Sequence, residues 1–409
     1  MDLNDESPVA SVSTTGPHRG RAAAAAAALA LTLAACTSGE GLERQGPADV
    51  EGLERDPRAS SLQLPAADTA HVQMPTQFGQ LVTVEPAWDL PVQRGEDIFL
   101  SAEETDRALV FRAVDSTGAV RWSAERPLAC AGFVVTQDAE GRDLAVLTDA
   151  ETSEDDLSVT TASAYDLGTG EQVWGPVEVP GPHTGPGLVF EAPPEGFMGQ
   201  SGEPAVLDPT TGERLSDDGR VIGEFNGTIL RVEGDDVTAQ TGAGHEWSTP
   251  LSEIGGGAFS LEAHAAATAA DGLALLDTGE GAGPLLDLES GELLAGDVHD
   301  VARDTGSATI AVLDGDGLTV LDDEGDEQLA MSVREGTTLE AVVGVLVYVR
   351  DGGSVRVHNG ITGTIAQAYA KDGAGPVAVP SLVTREGTGA LNAGNRTLLT
   401  TDRVVEDRG

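Results

Sequence analysis

From residue 76 onward, apolar and polar residues alternate in short runs, and each run is closed by glycine, aspartate or asparagine. A period of two places successive side chains on opposite faces of a pleated strand, so the pattern predicts half-buried strands joined by tight turns. Residues 221–225 and 228–232 flank Asn226-Gly227, a strong hairpin signal. Residues 237–241 and 245–247 then read as a third and a fourth strand. Residues 308–313 and 318–321 flank Asp314-Gly315-Asp316-Gly317 in the same way. No helical period competes with this pattern after residue 75.

The turns themselves recur. Tyr165-Asp166-Leu167-Gly168-Thr169-Gly170-Glu171-Gln172-Val173-Trp174 reads as the end of one strand, a turn built on Thr-Gly, and a second strand that reaches a tryptophan. Glycine accepts the positive φ of such a turn, and the aspartate can hydrogen-bond the turn's own backbone. Further copies run from Asp115 to Gly118 with Trp122 following, from Asp208 to Gly212, from Gln240 to Gly242 with Trp247 following, from Asp287 to Gly291, from Asp322 to Gly325 and from Asn359 to Gly363. Between Gly118 and Gly363 the mean interval is about 41 residues, the length of a four-stranded propeller blade.

Residues 76–405 hold about eight such intervals. Near the C-terminus, residues 377–384, 389–393 and 397–401 read as three strands, and residues 81–84 could supply the fourth. The expected fold is therefore an all-β propeller of four-stranded blades. Eight blades are favoured, or seven if the strand near Trp88 belongs inside the first repeat. Pairing of the N- and C-terminal strands would close the ring and remove an open sheet edge.

The N-terminal region reads differently. His18-Arg19-Gly20-Arg21 precedes an apolar run, residues 22–33, that is too short for an ordinary membrane span. It ends in Leu33-Ala34-Ala35-Cys36, which resembles the lipobox of a bacterial lipoprotein. The resemblance implies that residues 1–35 are a signal peptide and that the Cys36 thiol carries the lipid. The protein is then held at the extracytoplasmic face of the cell membrane, and two or three acyl chains would anchor it firmly. Residues 36–75 are polar, carry Pro47, Pro57 and Pro65, and repeat Glu-Gly-Leu-Glu-Arg at 40–44 and 51–55. They read as a solvated tether, with the propeller domain at 76–409.

The formal net charge of −45 changes the choice of partners. So acidic a surface repels nucleic acid and anionic headgroups, leaving the lipid on Cys36 as the membrane contact. With Cys36 modified, Cys130 is the remaining cysteine; it lies among small apolar residues and reads as a buried thiol, with no disulfide. The acidic stretches 149–156 and 314–316 lack the spacing of an EF-hand or nonapeptide calcium site. His71, His183, His245, His264, His299 and His358 are scattered, without metal-ligand spacing. There is no Gly-x-Ser-x-Gly elbow and no phosphate loop. No catalytic, cofactor-binding or metal-ligating residue stands out.

The phrase strand-Asp-x-x-Thr-Gly-x-x-x-Trp, over roughly residues 80–405, resembles the quinoprotein-like (pyrroloquinoline-quinone-like) propeller repeat. The resemblance implies structural roles for its motif residues. Asp115, Gly118, Asp166, Gly170, Asp208, Gly212, Asp287, Gly291, Gly325 and Gly363 would hold the hairpins, while Trp122, Trp174 and Trp247 would dock between blades. Catalytic members of that family are dehydrogenases that hold a quinone beside a calcium ion, in many cases against a disulfide of adjacent cysteines. This chain has no adjacent cysteines and no matching ligand set, so no cofactor is expected. Non-catalytic relatives use the ring as a platform for proteins. The expected function is therefore that of a membrane-anchored binding or scaffold module for a protein or glycan of the cell envelope. The alternative is an extracellular enzyme on the same propeller, a quinoprotein dehydrogenase or a glycoside hydrolase.

Overall fold

The computed structural model describes residues 52–128, 132–152, 158–181, 183, 187–191, 205–215, 220–241, 246–254, 268–276, 281–371 and 373–405. Residues 1–35, expected to be a signal peptide, and Cys36, Cys130, Gly242, His245, His264 and the acidic stretch 153–156 lie outside them.

The fold is an all-β propeller built from consecutive antiparallel meanders. Among the described residues the one helical element is a single 3-10 turn, Thr76–Phe78. Alternation works as the sequence predicts. In Val120–Arg126, Val120, Trp122, Ala124 and Arg126 are buried while Arg121 is exposed. Ile98–Glu104, Leu109–Asp115 and Val120–Arg126 pair in sequence order, with Gln93–Arg94 on the inner edge. Phe133–Gln137, Asp143–Thr152, Ser158–Asp166 and Gln172–Val179 form the next sheet. Arg220–Phe225, Thr228–Glu233, Asp236–Thr241 and Glu246–Pro250 form another. In that sheet Asn226 and Gly227 both take positive φ, 50° and 90°, as a two-residue hairpin turn requires.

Among the described residues six sheets of three strands or more stand as blades, which corrects the expected count of eight or seven. Counting turns overcounts blades because pairing, not turn spacing, decides sheet membership. Leu293–Asp304 is long enough to pair with Gly283–Asp287 on one side and Thr309–Asp314 on the other. The repeats at Asp287 and Asp322 therefore share one seven-stranded sheet. Among the described residues the repeat at Asp208 contributes a two-stranded ribbon, Val189–Phe190 with Ala205–Val206, flanked by single bridges from His183 to Phe190 and from Leu207 to Arg214. The last sheet is made of Val379–Val383, Gly389–Ala393 and Arg396–Val404, with Leu81–Val84 added along Arg396–Val404.

The core lies between neighbouring sheets. Leu100, Phe111 and Trp122 of one sheet pack with Ala145, Leu147 and Tyr165 of the next. Trp88, Val84 and Leu399 pack with Phe99 and Val114 across the junction of the last and first sheets.

Of the expected tether at 36–75, residues 52–75 are among the described residues. Residues 52–75 are laid against the propeller: Arg58–Ala59 extends the outer edge of Val120–Arg126, and Leu64 is buried beside Val84 and Trp88. Polar composition suggested a solvated spacer, but backbone hydrogen bonds, the Arg55–Asp149 ion pair and the apolar side chains of Leu64, Ala67, Val72 and Met74 hold residues 52–75 in place.

Candidate functional site

The repeated turns share one device, a side-chain oxygen that accepts from the turn's own amides, in two lengths. Asp166 Oδ1 accepts from the amide and the hydroxyl of Thr169, at 2.8 and 2.9 Å. Asp287 Oδ1 does the same for Ser290, and Asn359 Oδ1 for Thr362. Asp115 accepts from the amides of Thr117 and Ala119, Asp208 from those of Thr210 and Thr211, and Asp322 from those of Glu324 and Asp326. Gly118, Gly170, Gly212, Gly291, Gly325 and Gly363 all have φ between 70° and 81°. These side-chain oxygens are spent on their own turns, which is the Asx-turn arrangement.

Trp122, Trp174 and Trp247 each latch onto the turn of the following repeat. Trp122 Nε1 donates to the Leu167 carbonyl at 2.7 Å, Trp174 Nε1 to that of Pro209 at 2.8 Å, and Trp247 Nε1 to that of Leu288 at 2.9 Å. In each case the ring lies on the glycine of that turn: Gly170, Gly212 or Gly291. Where the repeat has lost its tryptophan, leucine takes the place, with Leu294 against Gly325 and Leu329 against Gly363. Indole offers both a large apolar face and one donor, so it satisfies a turn carbonyl while covering a surface that no side chain obstructs.

A second constellation lies at the inner edges. Gln93–Arg94, Phe133–Gln137, Arg220–Phe225 and Thr268–Ala270 are each the edge strand of their sheet. Gln93 bonds both ways to its neighbour, accepting from the Val135 amide at 2.7 Å and donating to the Phe133 carbonyl at 3.0 Å. Arg94 forms an ion pair with Asp271, whose backbone carbonyl also accepts from Arg303 Nη1 at 2.8 Å. Glu224 is fully enclosed and gathers three segments. Its Oε1 accepts from the Thr136 hydroxyl at 2.5 Å and from the Gly227 amide, and its Oε2 accepts from the Leu188 amide at 3.1 Å. Burial pushes this carboxyl above the usual range, while the three donors oppose the shift. Shut off from solvent and committed to three donors, it serves as a keystone rather than a reactive acid. The sequence offered no sign of it, because one glutamate among 68 acidic residues has no distinguishing spacing.

Among the described residues, His183, His299 and His358 do not converge. His299 Nδ1 meets the Gly281 carbonyl at 2.9 Å, His358 Nδ1 meets the Gly363 carbonyl at 3.4 Å, and His183 lies edge-on to Phe190. Among the described residues, the group of acids close enough to share a cation is Asp322, Asp323 and Glu324, in a surface turn. Asp322 there already holds its turn, so the cluster is turn chemistry. No helix among the described residues is long and apolar enough to cross a membrane.

No family model matches the chain, and no curated protein matches it. Solved structures that resemble it include Hsv2 of Kluyveromyces lactis in two forms. The form with loop 6CD replaced by a Gly-Ser linker is 12% identical, with a TM-score of 0.36, over 74% of this chain and 88% of that one. The form with the complete loop 6CD is 11% identical, with a TM-score of 0.35, over 74% and 89%. Superpositions this loose carry no argument about function, and the propeller assignment rests on the strand pairing above.

Proposed function

We propose that this protein is a lipid-anchored, extracytoplasmic propeller that serves as a binding or scaffold module for a protein or glycan of the cell envelope. The observation that carries this reading is where the chain becomes fixed. Arg107 Nη2 donates to the Gly52 carbonyl at 3.3 Å, and from Glu54 onward the backbone is paired to the first large sheet. About 15 residues then separate Cys36 from the propeller, a length that reaches at most about 50 Å. A lipid on Cys36 would therefore hold a rigid platform close to the membrane. The repeat turns, whose polar groups are satisfied internally, leave the connecting loops free to vary around that platform. The ring itself is taken to close through the pairing of Leu81–Val84 with Arg396–Val404.

The test has two arms. Fatty-acid labelling of the full chain in a bacterial host should mark the wild type and not Cys36→Ser. In situ crosslinking of the labelled protein should then recover one discrete envelope partner. Label that persists in Cys36→Ser overturns the anchor. A stoichiometric quinone complex that reduces dye with alcohols or sugars overturns the binding-module reading and favours a dehydrogenase.

A further inference from the structure

Residues 52–76 run along the propeller as an extended strap whose contacts fall on several sheets in succession. Near its start, the Glu54 carbonyl accepts from the Glu125 amide at 2.8 Å, and Arg58 and Ala59 pair with Ser123 and Trp122. Pro57 lies over the turn of the next sheet, close enough that a β-carbon on Gly170 would stand 2.9 Å from it. The strap then turns toward the last sheet, where the Ala67 amide donates to the Thr83 carbonyl at 2.8 Å. At Gln73 it is held from both sides: its amide donates to Pro376 at 2.9 Å and its carbonyl accepts from Ala378 at 3.0 Å. Finally the Thr76 amide reaches the Ala368 carbonyl at 2.7 Å. The strap thus passes over the seam at which Leu81–Val84 pairs with Arg396–Val404.

Two ladder pairs, three single bridges and scattered hydrogen bonds hold this segment, and ion pairs join them at Asp149. Arg55 Nη1 stands 2.7 Å from Asp149 Oδ2, which is also 3.6 Å from Arg126 Nε. Arg126, only 2% exposed, donates through Nη1 to the Arg55 carbonyl. Its Nη2 lies 3.3 Å from the Tyr165 hydroxyl, which in turn is 3.4 Å from Asp56. Lifting the strap would take from Asp149 its nearest cation and from Arg126 the Arg55 carbonyl. Removing one partner of a buried pair is far costlier than the pair's net worth. It would also bare the edge of Val120–Arg126, where Val120 donates to Leu62, and Arg121 accepts from Ser60.

We infer that residues 52–76 are a staple across the propeller's seam, and that the Arg55–Asp149–Arg126 cluster is the clasp that keeps the staple seated. The N-terminal segment then does more than connect: it guards a sheet edge and supports the pairing of the chain's two ends. This inference is independent of lipidation, since it concerns residues already fixed on the fold.

Amide exchange and limited trypsin cleavage of the full chain test it. Asp149→Asn should speed exchange at Ser60, Val120 and Glu125 by about tenfold or more, and should raise trypsin cleavage after Arg58. It should also speed exchange within Leu81–Val84, while the remote strand Ser354–Asn359 stays at the wild-type rate. Arg55→Gln should act in the same direction but less strongly, because Arg126 still faces Asp149. If Asp149→Asn does not fold, Arg55→Gln and a salt titration of the wild type give the same readout. Wild-type exchange and cleavage along the strap in the variants overturn the clasp. A loosened strap with an unaltered Leu81–Val84 ladder overturns the staple.

Discussion

Trp174 lies on Gly212 so closely that a β-carbon on that glycine would stand 2.5 Å from the ring's Cε3, and Gly212 has a φ of 71°. The turn of one repeat is thus shaped to receive the tryptophan of the repeat before it. Gly212→Ala should meet both the left-handed penalty and overpacking, a loss of about 2–4 kcal/mol. Gly234 has a similar φ of 64° with nothing within 4 Å of a β-carbon, so Gly234→Ala should lose only about 1 kcal/mol. Chemical denaturation of the pair checks this, and equal losses would show that the indole is not what Gly212 is for.

Glu224 should resist even its closest substitute. In Glu224→Gln, a carboxamide NH₂ must face one of the Thr136, Gly227 or Leu188 donors. An enclosed donor set against a donor should cost about 1–3 kcal/mol. A denaturation midpoint at the wild-type value would place the side chain outside this network.

Asp300 gives the fold a pH dependence. Burial, with Glu340 adding to it, pushes its carboxyl up to about 6, against the amides of Val301 and Leu339. Its folded pKa exceeds its unfolded one, so the native state binds more protons between about pH 4 and pH 6. This contribution to stability is whole below about pH 4 and is lost as pH rises through about 6, by at most about 3 kcal/mol. Asp300→Asn should flatten that part of the stability profile and gain stability at neutral pH. Melting curves from pH 4 to 7 check it, and parallel profiles for variant and wild type would exclude Asp300 as the source.

Removing residues 377–409 should be damaging. It takes away Val379–Val383, Gly389–Ala393 and Arg396–Val404, and leaves Leu81–Val84 without a partner strand. Gel filtration should find aggregate, because an unpaired apolar strand invites pairing between molecules. A soluble truncate that melts cooperatively would mean that the remaining sheets stand alone.

Alternation and turn chemistry are local properties, and they determined much by themselves. The strands around Asn226-Gly227 and Asp314, the three strands before the C-terminus, and the aspartate and glycine of each repeat are written in short windows. A hairpin turn needs only its own few residues to choose its φ values and bond its own backbone. The period of about 41 residues likewise sufficed for an all-β propeller.

What only tertiary structure decided depends on partners far apart in sequence. Whether Leu293–Asp304 ends one blade or joins two is settled by the strand available on each side, which no window of sequence records. Composition assigned residues 52–75 to a solvated tether, yet their hydrogen bonds go to Glu125, Thr83, Pro376 and Ala368. Glu224 and Asp149 look like any other acids in a chain of charge −45. Burial selects them, and burial is a property of the packed sheets, because a carboxylate is costly to enclose until a specific set of donors or cations surrounds it.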